Sequence, residues 1–275
     1  MPASRSALAC ALLCAAQSAL ALPPALYGST PHANEIVERV FDRIGKSDCA
    51  GAVRALNEGL EKGYGKVALL AGGMYEDGIC VKRSWDRAVH FFLIAHDRGE
   101  RAAPYRLQAG YAAAENGPDM AAAIWWMHRS WKVPGGPCAV EEAARSDPDR
   151  FVAALRTWPQ ARLAACNYIA GVMATLIGDI EYPAVAQDFG LTGKFEVTLV
   201  PAEGRFEVRQ QESGEVFFIG WTSAEKLRDR DARFARSSLE KGIREIAERA
   251  LKRYPQPPGI DPQWRQSVNF TFMLE

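Results

Sequence analysis

Three glycines recur at a spacing of 36 residues in the middle of this 275-residue chain, and this recurrence constrains the fold most. Shifting the sequence by 36 positions superposes Gly63, Gly99 and Gly135, and it pairs Tyr75 with Tyr111. Small residues follow the same spacing, the third offset by one place: Ala52, Ala88 and Ala123. A recurrence of this length predicts a helical solenoid, in which each unit is a pair of helices that stacks on the next.

Each unit divides into two helices by its capping residues. A residue suited to the N-cap precedes every second helix, namely Ser47, Ser84 and Asp119, and a repeated glycine follows its end, where a left-handed C-cap is expected. The pattern predicts second helices over about 49–61, 85–98 and 119–132. The first helices are predicted over about 34–45, 65–77 and 102–115.

The residues of the second unit carry a family resemblance. They run Ala68, Leu69, Gly72, Tyr75, Gly78, Ala88, Phe91, Ala95 and Gly99. This stretch resembles the Sel-one-like repeat, a relative of the tetratricopeptide repeat. The third unit, with Trp126, is a looser match, and the first has Arg39 where Tyr would stand. The resemblance covers about residues 34–135, and it implies an interaction scaffold without catalytic activity.

The helical part is predicted to continue to residue 178. Breaks fall at Asp147-Pro148 and Trp158-Pro159, and the stretch from Arg162 to Ile177 is predicted to form a last helix. A helical array exposes its final apolar face unless a terminal element covers it, so this helix is expected to cap the stack. Residues 34–178 are therefore predicted to form one helical-repeat domain.

The hydrophobic period changes near Tyr182. Phe195, Val197 and Leu199 alternate with polar residues, and Gly204 marks a turn into another alternating segment, which predicts a hairpin. A further apolar run over 216–221 precedes an amphipathic helix over about 231–254, and the chain closes on an alternating strand over 267–274. Two strands, a helix and a strand predict a small α+β domain.

The opening of this segment resembles the C-terminal domain of the TonB energy-transducer family. The residues that carry the resemblance are Tyr182, Pro183, Ala186, Leu191, Gly193, Val197, Val200, Gly204 and Arg205. It covers roughly residues 180–275. The segment 211–230 is longer and more charged than the family's usual link. TonB transducers also have a membrane anchor and a long proline-rich spacer, whereas only Pro23, Pro24 and Pro31 stand between Leu22 and the first repeat.

The resemblance implies that the last strand lies at a sheet edge and pairs with an extended partner peptide. The expected binding residues are Ser267, Val268, Asn269, Phe270 and Thr271. Val268, Phe270, Phe272 and Leu274 are expected to face the helix at Ile243, Ile246 and Ala250. The alternative is an edge that only completes the sheet, or that the segment 211–230 masks.

Residues 1–21 have the pattern of a secretory signal peptide. An apolar stretch from Ala7 to Ala16 is followed by small residues at Ala19 and Ala21, which predicts cleavage after Ala21 and a periplasmic protein. An uncleaved anchor is the alternative. No other apolar stretch is expected to approach the roughly 20 residues that span a bilayer.

Four cysteines remain after the leader: Cys49, Cys80, Cys138 and Cys166. In an exported chain an even number predicts two disulfides, which three connectivities could satisfy. Cys49 begins a second helix and Cys80 follows the next first helix, and antiparallel packing brings these ends together. Cys49 is therefore predicted to pair with Cys80, which leaves Cys138 for Cys166.

The sequence predicts no catalytic residue, no metal site and no cofactor. Gly45-Lys46-Ser47 lacks the earlier glycine of a phosphate-binding loop, since that position is Val40. The histidines show no metal-binding spacing, and Trp125, Trp126 and Trp131 are expected in the core rather than in a ligand groove. The 33 basic residues balance the 33 acidic residues, which argues against nucleic-acid binding.

Three functional hypotheses follow. The first is a periplasmic adaptor whose partner is a protein or extended peptide in the cell envelope. The second is a TonB-like energy transducer that keeps its leader as a membrane anchor and serves outer-membrane transport. The third is an enzyme subunit whose site the sequence does not reveal, and the lack of a recognisable catalytic constellation favours the first.

Overall fold

The computed structural model describes residues 31–130, 136–215 and 229–273. Within these ranges the chain is mostly helical and carries a small three-stranded antiparallel sheet, which confirms the expected combination of helices with an α+β segment. The predicted leader and its cleavage site lie outside the described residues.

Six helices make up the first part of the fold, arranged as three successive hairpins. They are α1 (Pro31–Gly45), α2 (Cys49–Glu61), α3 (Gly65–Asp77), α4 (Trp85–Asp97), α5 (Ala103–Ala112) and α6 (Met120–Ser130). The bounds of α2 and α3 are those predicted. Helix α5 ends three residues before the predicted residue 115, because Ala113 adopts an extended backbone and a 3-10 turn follows.

The capping residues explain most of these bounds. The Ser84 hydroxyl accepts from the Arg87 N–H at the start of α4, and Asp119 accepts from the Ala122 N–H at 2.9 Å. Gly63 and Gly99 take the expected left-handed backbone, with φ of 74° and 84°. Ser47 was a wrong prediction for the first N-cap: Asp48 accepts from the Gly51 N–H at 2.8 Å.

Glycines let aromatic rings approach the helix backbones of the hairpins. A Cβ added at Gly72 would lie 2.3 Å from the Phe92 ring, and one added at Gly110 would lie 2.0 Å from the Trp85 ring. Real Cβ atoms do not approach that closely, so both positions require glycine for this packing. The absence of a side chain at these two positions thus determines how these helices pack.

Three helices follow the hairpins: α7 (Glu142–Arg145), α8 (Pro148–Arg156) and α9 (Gln160–Asp179). Helix α9 contacts α5 and α6 and also the last long helix of the chain. Its contacts with α5 and α6 are those expected of a helix that covers the end of the stack, and its other side is covered in turn by the last long helix.

Helix α9 is also long and apolar enough to cross a membrane by length and composition, contrary to the sequence-based expectation. Most of its residues are buried inside the protein, among them Ala170, Val172 and Met173. Burial on several sides accounts for its uniformly apolar composition, because a helix surrounded by protein needs no polar face.

The C-terminal elements form the α+β part. They are α10 (Ala184–Asp188), β1 (Leu191–Val200), β2 (Arg205–Glu215), α11 (Asp229–Arg253) and β3 (Gln266–Phe272). Both β2 and β3 pair antiparallel with β1, which lies at the centre in the order β2, β1, β3. The predicted apolar run over 216–221 lies outside the described residues.

The largest hydrophobic core runs through both parts of the chain without a break. It includes Ile124 of α6, Met173 of α9, Phe195 of β1 and Ile243 of α11. Helices α1, α2 and α3 share a separate small core around Ile36, Val40, Leu56 and Val67. The predicted division at residues 178–180 therefore falls within a continuous core.

Candidate functional site

Strand β3 lies at one edge of the sheet. Val268 is opposite Val197, Asn269 opposite Glu196, and Phe270 opposite Phe195 in β1. No described strand pairs with the other side of β3. Residues 205–215 form β2 on the far side of β1, so this portion of the segment 211–230 does not mask the β3 edge.

The side chains of β3 alternate between two environments. Phe270 and Phe272 are buried and Val268 is half-buried, whereas Ser267, Asn269 and Thr271 are exposed. The buried positions Ile243 and Ala250 of α11 belong to the same core as the two phenylalanines. The expected assignment of faces is therefore confirmed over 267–272, and Leu274 lies outside the described residues.

The inner face of β3 ends in an aromatic cluster. The Phe272 ring lies 5.9 Å from the Phe195 ring and 5.5 Å from the Tyr182 ring, measured between centroids. The Tyr182 hydroxyl donates to the Leu191 carbonyl, and burial raises the pKa of Tyr182 above its usual value. The motif that opens the α+β segment thus supports the edge strand directly.

Cross-strand polar pairs cover the outer face of the sheet. The Lys194 ammonium lies 2.8 Å from the Glu212 carboxylate, and Arg209 pairs with Glu196. The hydroxyls of Thr198 and Ser267 are 2.8 Å apart. Charges of both signs alternate there, so this face shows neither the uniform basic surface of a nucleic-acid site nor a broad apolar patch.

A second polar cluster joins the C-terminal part to the hairpins. Arg253, at the end of α11, donates to the Glu76 carboxylate at 2.7 Å and to the Glu115 carboxylate at 3.0 Å. Glu76 is 4% exposed, so its charge is buried and needs this partner. Burial alone would lower the pKa of Arg253, but Tyr254 and the two carboxylates outweigh that effect and raise the pKa above its usual value.

Tyr254 sits beside this ion pair and fills the space above a glycine of α9. A Cβ added at Gly171 would lie 2.4 Å from the Tyr254 ring. The Tyr254 hydroxyl donates to the Ala109 carbonyl at 2.9 Å, which leaves the Thr175 hydroxyl to donate to the Tyr254 oxygen at 3.0 Å. Burial raises the pKa of Tyr254 to about 12.

The sequence predicted that the last helix ends at about residue 254, but it did not predict the contacts of Tyr254. It also missed Glu76, Glu115 and Arg253. The available signal was Glu76, a charged residue near the end of a largely apolar helix.

The structure pairs the cysteines as predicted. The sulfur atoms of Cys49 and Cys80 are 2.07 Å apart, and those of Cys138 and Cys166 are 2.04 Å apart. The second pair belongs to the large core, whereas Cys49 is exposed at the start of α2. Two disulfides fit an oxidising compartment.

The tryptophans and histidines have structural contacts. Trp126 is 9% exposed, and its ring meets the His96 ring edge-on. The Trp125 ring is covered by the Arg129 guanidinium at 3.1 Å from its centroid, and Trp131 lies outside the described residues. Burial lowers the pKa of His128, whose Nε2 lies 3.1 Å from the Cys138 carbonyl. No group of three or more metal-ligating side chains occurs in the described ranges.

Comparisons of the chain with models of known protein families, with curated proteins and with solved structures found no match.

Proposed function

We propose that this chain is a periplasmic interaction adaptor, in which a Sel-one-like helical scaffold over 34–178 carries a TonB-like domain over 180–275. The last strand of that domain receives an extended peptide from a cell-envelope protein. The position of β3 carries this proposal, because its inner side pairs with β1 and no described strand covers its outer side. The two disulfides support an exported location.

An edge strand offers a row of backbone donors and acceptors to an incoming chain. A peptide that adds to β3 forms these bonds with any sequence, and its side chains then determine preference. On the side of α11 the peptide meets the half-buried Val268, and on the outer side it meets Ser267, Asn269 and Thr271. The preferred peptide therefore alternates apolar with uncharged polar residues.

Three successive helical hairpins support the scaffold role. Glycines within these hairpins receive aromatic rings from neighbouring helices, as Gly72 receives Phe92 and Gly110 receives Trp85. Stacked hairpins of this kind form extended surfaces that suit protein binding. The buried pair of Arg253 and Glu76 holds the α+β part against these hairpins, so both would be presented to a partner together.

Site-specific crosslinking tests the edge-strand site. A photoreactive residue at Asn269 should crosslink to an extended segment of an envelope protein, whereas the same residue at Glu240, on the exposed side of α11, should not. Mass spectrometry of the adducts identifies the segment. Equal adducts at both positions, or none at Asn269, would contradict the proposal.

Proline substitutions at Val268 and Asn269 provide the second arm, because consecutive residues of an edge strand direct their N–H groups alternately toward β1 and away from it. Of these two variants, one loses an N–H group that points away from β1, and this variant should retain the wild-type circular dichroism spectrum because its bonds to β1 are intact. Its capture of the crosslinked partner should fall by roughly tenfold, as expected for one lost hydrogen bond. Undiminished capture by a folded variant counts against β3 as the binding strand.

A further inference from the structure

The two disulfides differ in their access to solvent. Cys138 and Cys166 are 4% and 0% exposed and lie within the large core. Cys49 is exposed as the first residue of α2, and Cys80 is half-buried in the connection between α3 and α4. A reductant can reach a disulfide at the surface but not one enclosed by the core. Thiol–disulfide exchange depends on this access, and the two bonds differ in it.

The Cys49–Cys80 disulfide also restrains an unusual backbone conformation at Cys80. Cys80 has a φ of 58°, a left-handed conformation that a residue with a Cβ rarely adopts. Such a conformation persists where the surroundings hold it, and the bond to Cys49 is the covalent restraint at this position. Once the bond is cut, Cys80 can return to an ordinary backbone conformation.

The connection that carries Cys80 also carries Arg83, which contacts the ion-pair cluster of the C-terminal part. Arg83 donates to the Glu76 carbonyl at 2.9 Å and to the Asn116 side chain at 2.6 Å. The carboxylates of Glu76 and of Glu115 both receive Arg253 of α11. Through Arg83, the segment that carries Cys80 therefore contacts both Glu76 and Glu115, the two residues that bind Arg253 at the end of α11.

We propose that the Cys49–Cys80 disulfide is a site of thiol–disulfide exchange with a dithiol reductant, and that its reduction loosens the contact between the end of α11 and the hairpins. Cys138–Cys166 stays oxidised under the same conditions because the core encloses it.

The exchange proceeds in two steps. A thiolate of the reductant attacks the sulfur of Cys49, the more exposed residue of the pair, so the bond between the two protein sulfurs breaks and Cys80 leaves as a thiolate that takes a proton. The second thiolate of the reductant then attacks its own bound sulfur and expels Cys49 as a thiolate. The N-terminus of α2 stabilises that negative charge. The protein gains two electrons and one proton while Cys49 stays a thiolate, a second proton when that thiolate is protonated, and the reductant becomes a disulfide.

Graded reduction of the full chain tests the selectivity. Protein is incubated with increasing dithiothreitol, free thiols are trapped with an alkylating reagent, and each cysteine is quantified by mass spectrometry. Cys49 and Cys80 should be half-reduced at a dithiothreitol concentration at least roughly tenfold below that for Cys138 and Cys166. Reduction of all four cysteines together, or of the core pair first, overturns the proposal.

Hydrogen exchange on the selectively reduced protein tests the consequence. Amides of residues 78–84 and of the last turn of α11 should exchange faster than in the oxidised protein, while those in the middle of α9 stay unchanged. A double variant, Cys49→Ala with Cys80→Ala, should reproduce this pattern. The neighbouring Lys82→Ala change keeps the disulfide and should match wild type. An unchanged α11 end in both the reduced protein and the double variant overturns the coupling.

Discussion

The first hairpin and the region around α9 are held together by different interactions. Helices α1 and α2 share a small core, and exposed ion pairs cover it: Glu58 binds Arg39 at 2.7 Å and Lys62 at 2.8 Å. Ion pairs in water contribute little to stability, because solvent screens the charges and the long side chains lose entropy. The hairpin therefore depends on a few aliphatic side chains and on the tether from Cys49 to Cys80.

Helix α9 shows the opposite arrangement, since its neighbours enclose it. The Gln108 side chain donates to the Ala170 carbonyl at 2.7 Å and accepts from the Ser130 hydroxyl at 2.5 Å, so the buried Gln108 links α5 to both α6 and α9. Tyr254 of α11 fills the other side at Gly171. Buried polar groups with satisfied partners stabilise one arrangement over others.

This difference shows how stability is distributed along the chain. Opening the first hairpin exposes a small core and leaves the large one intact, whereas displacing α9 exposes the large core that joins the third hairpin to the sheet. Regions with few buried contacts open at low free-energy cost, and the most enclosed element opens only in global unfolding.

The largest expected effect comes from matched leucine truncations. Leu176→Ala in α9 empties a fully buried site and should lower the free energy of unfolding by about 3 kcal/mol, measured by urea denaturation. Leu56→Ala removes the same atoms from the small core of the first hairpin. It should speed amide exchange over residues 31–61 while exchange in α9 stays slow. If Leu56→Ala speeds exchange in α9 as much as Leu176→Ala does, the two regions unfold as one unit.

Local signals made the hairpins predictable. Caps, repeated glycines and small residues determine where each helix begins and ends, and the bounds of α2 and α3 match the prediction. The error at Ser47 has a local cause: two adjacent residues could each cap α2, and Ser47 takes a left-handed backbone that leaves Asp48 in the capping position. The alternation of buried and exposed side chains in β3 could also be predicted, because successive side chains of a strand point to opposite faces of the sheet.

The contacts of α9 with its neighbours could not be predicted from its own sequence. Its apolar residues surround the helix, so no stripe indicates which side meets which neighbour. The buried pair of Glu76 and Arg253 joins residues 177 positions apart, and no local pattern encodes such a contact. The edge position of β3 followed from a family resemblance, whereas its contribution to peptide binding stays a prediction.

A smaller effect is expected from matched glycine substitutions. Gly171→Ala forces a Cβ to within 2.4 Å of the Tyr254 ring, and overpacking of this kind should lower the free energy of unfolding by about 2 kcal/mol. Gly73→Ala in α3 meets open space, and the gain in helix propensity should raise stability by about 0.5 to 1 kcal/mol. Thermal denaturation of both variants gives the comparison. Equal stability of the two would mean that α9 and α11 can separate at no cost.

The smallest expected effect is an alkaline destabilisation that acts on the α9 region through Tyr254. Its pKa is about 12 in the folded protein, above the ordinary tyrosine value of about 10 in the unfolded chain. The unfolded chain therefore releases this proton first, and stability is lost as the pH rises from about 10 to 12. At pH 11 this one group should account for a loss of about 1 kcal/mol relative to pH 8.

Tyr254→Phe isolates this contribution. The variant should be less stable than wild type at pH 8, because the Ala109 carbonyl and the Thr175 hydroxyl lose their partner. It should also lose less stability between pH 8 and pH 11, because it lacks the Tyr254 hydroxyl. The other buried tyrosines titrate in both proteins, so their contributions cancel in the comparison. Urea denaturation at the two pH values measures the difference between the two losses. Parallel losses in wild type and variant would show that Tyr254 ionises as easily in the folded protein as in the unfolded chain, and that the contact of α11 with α9 is open to solvent.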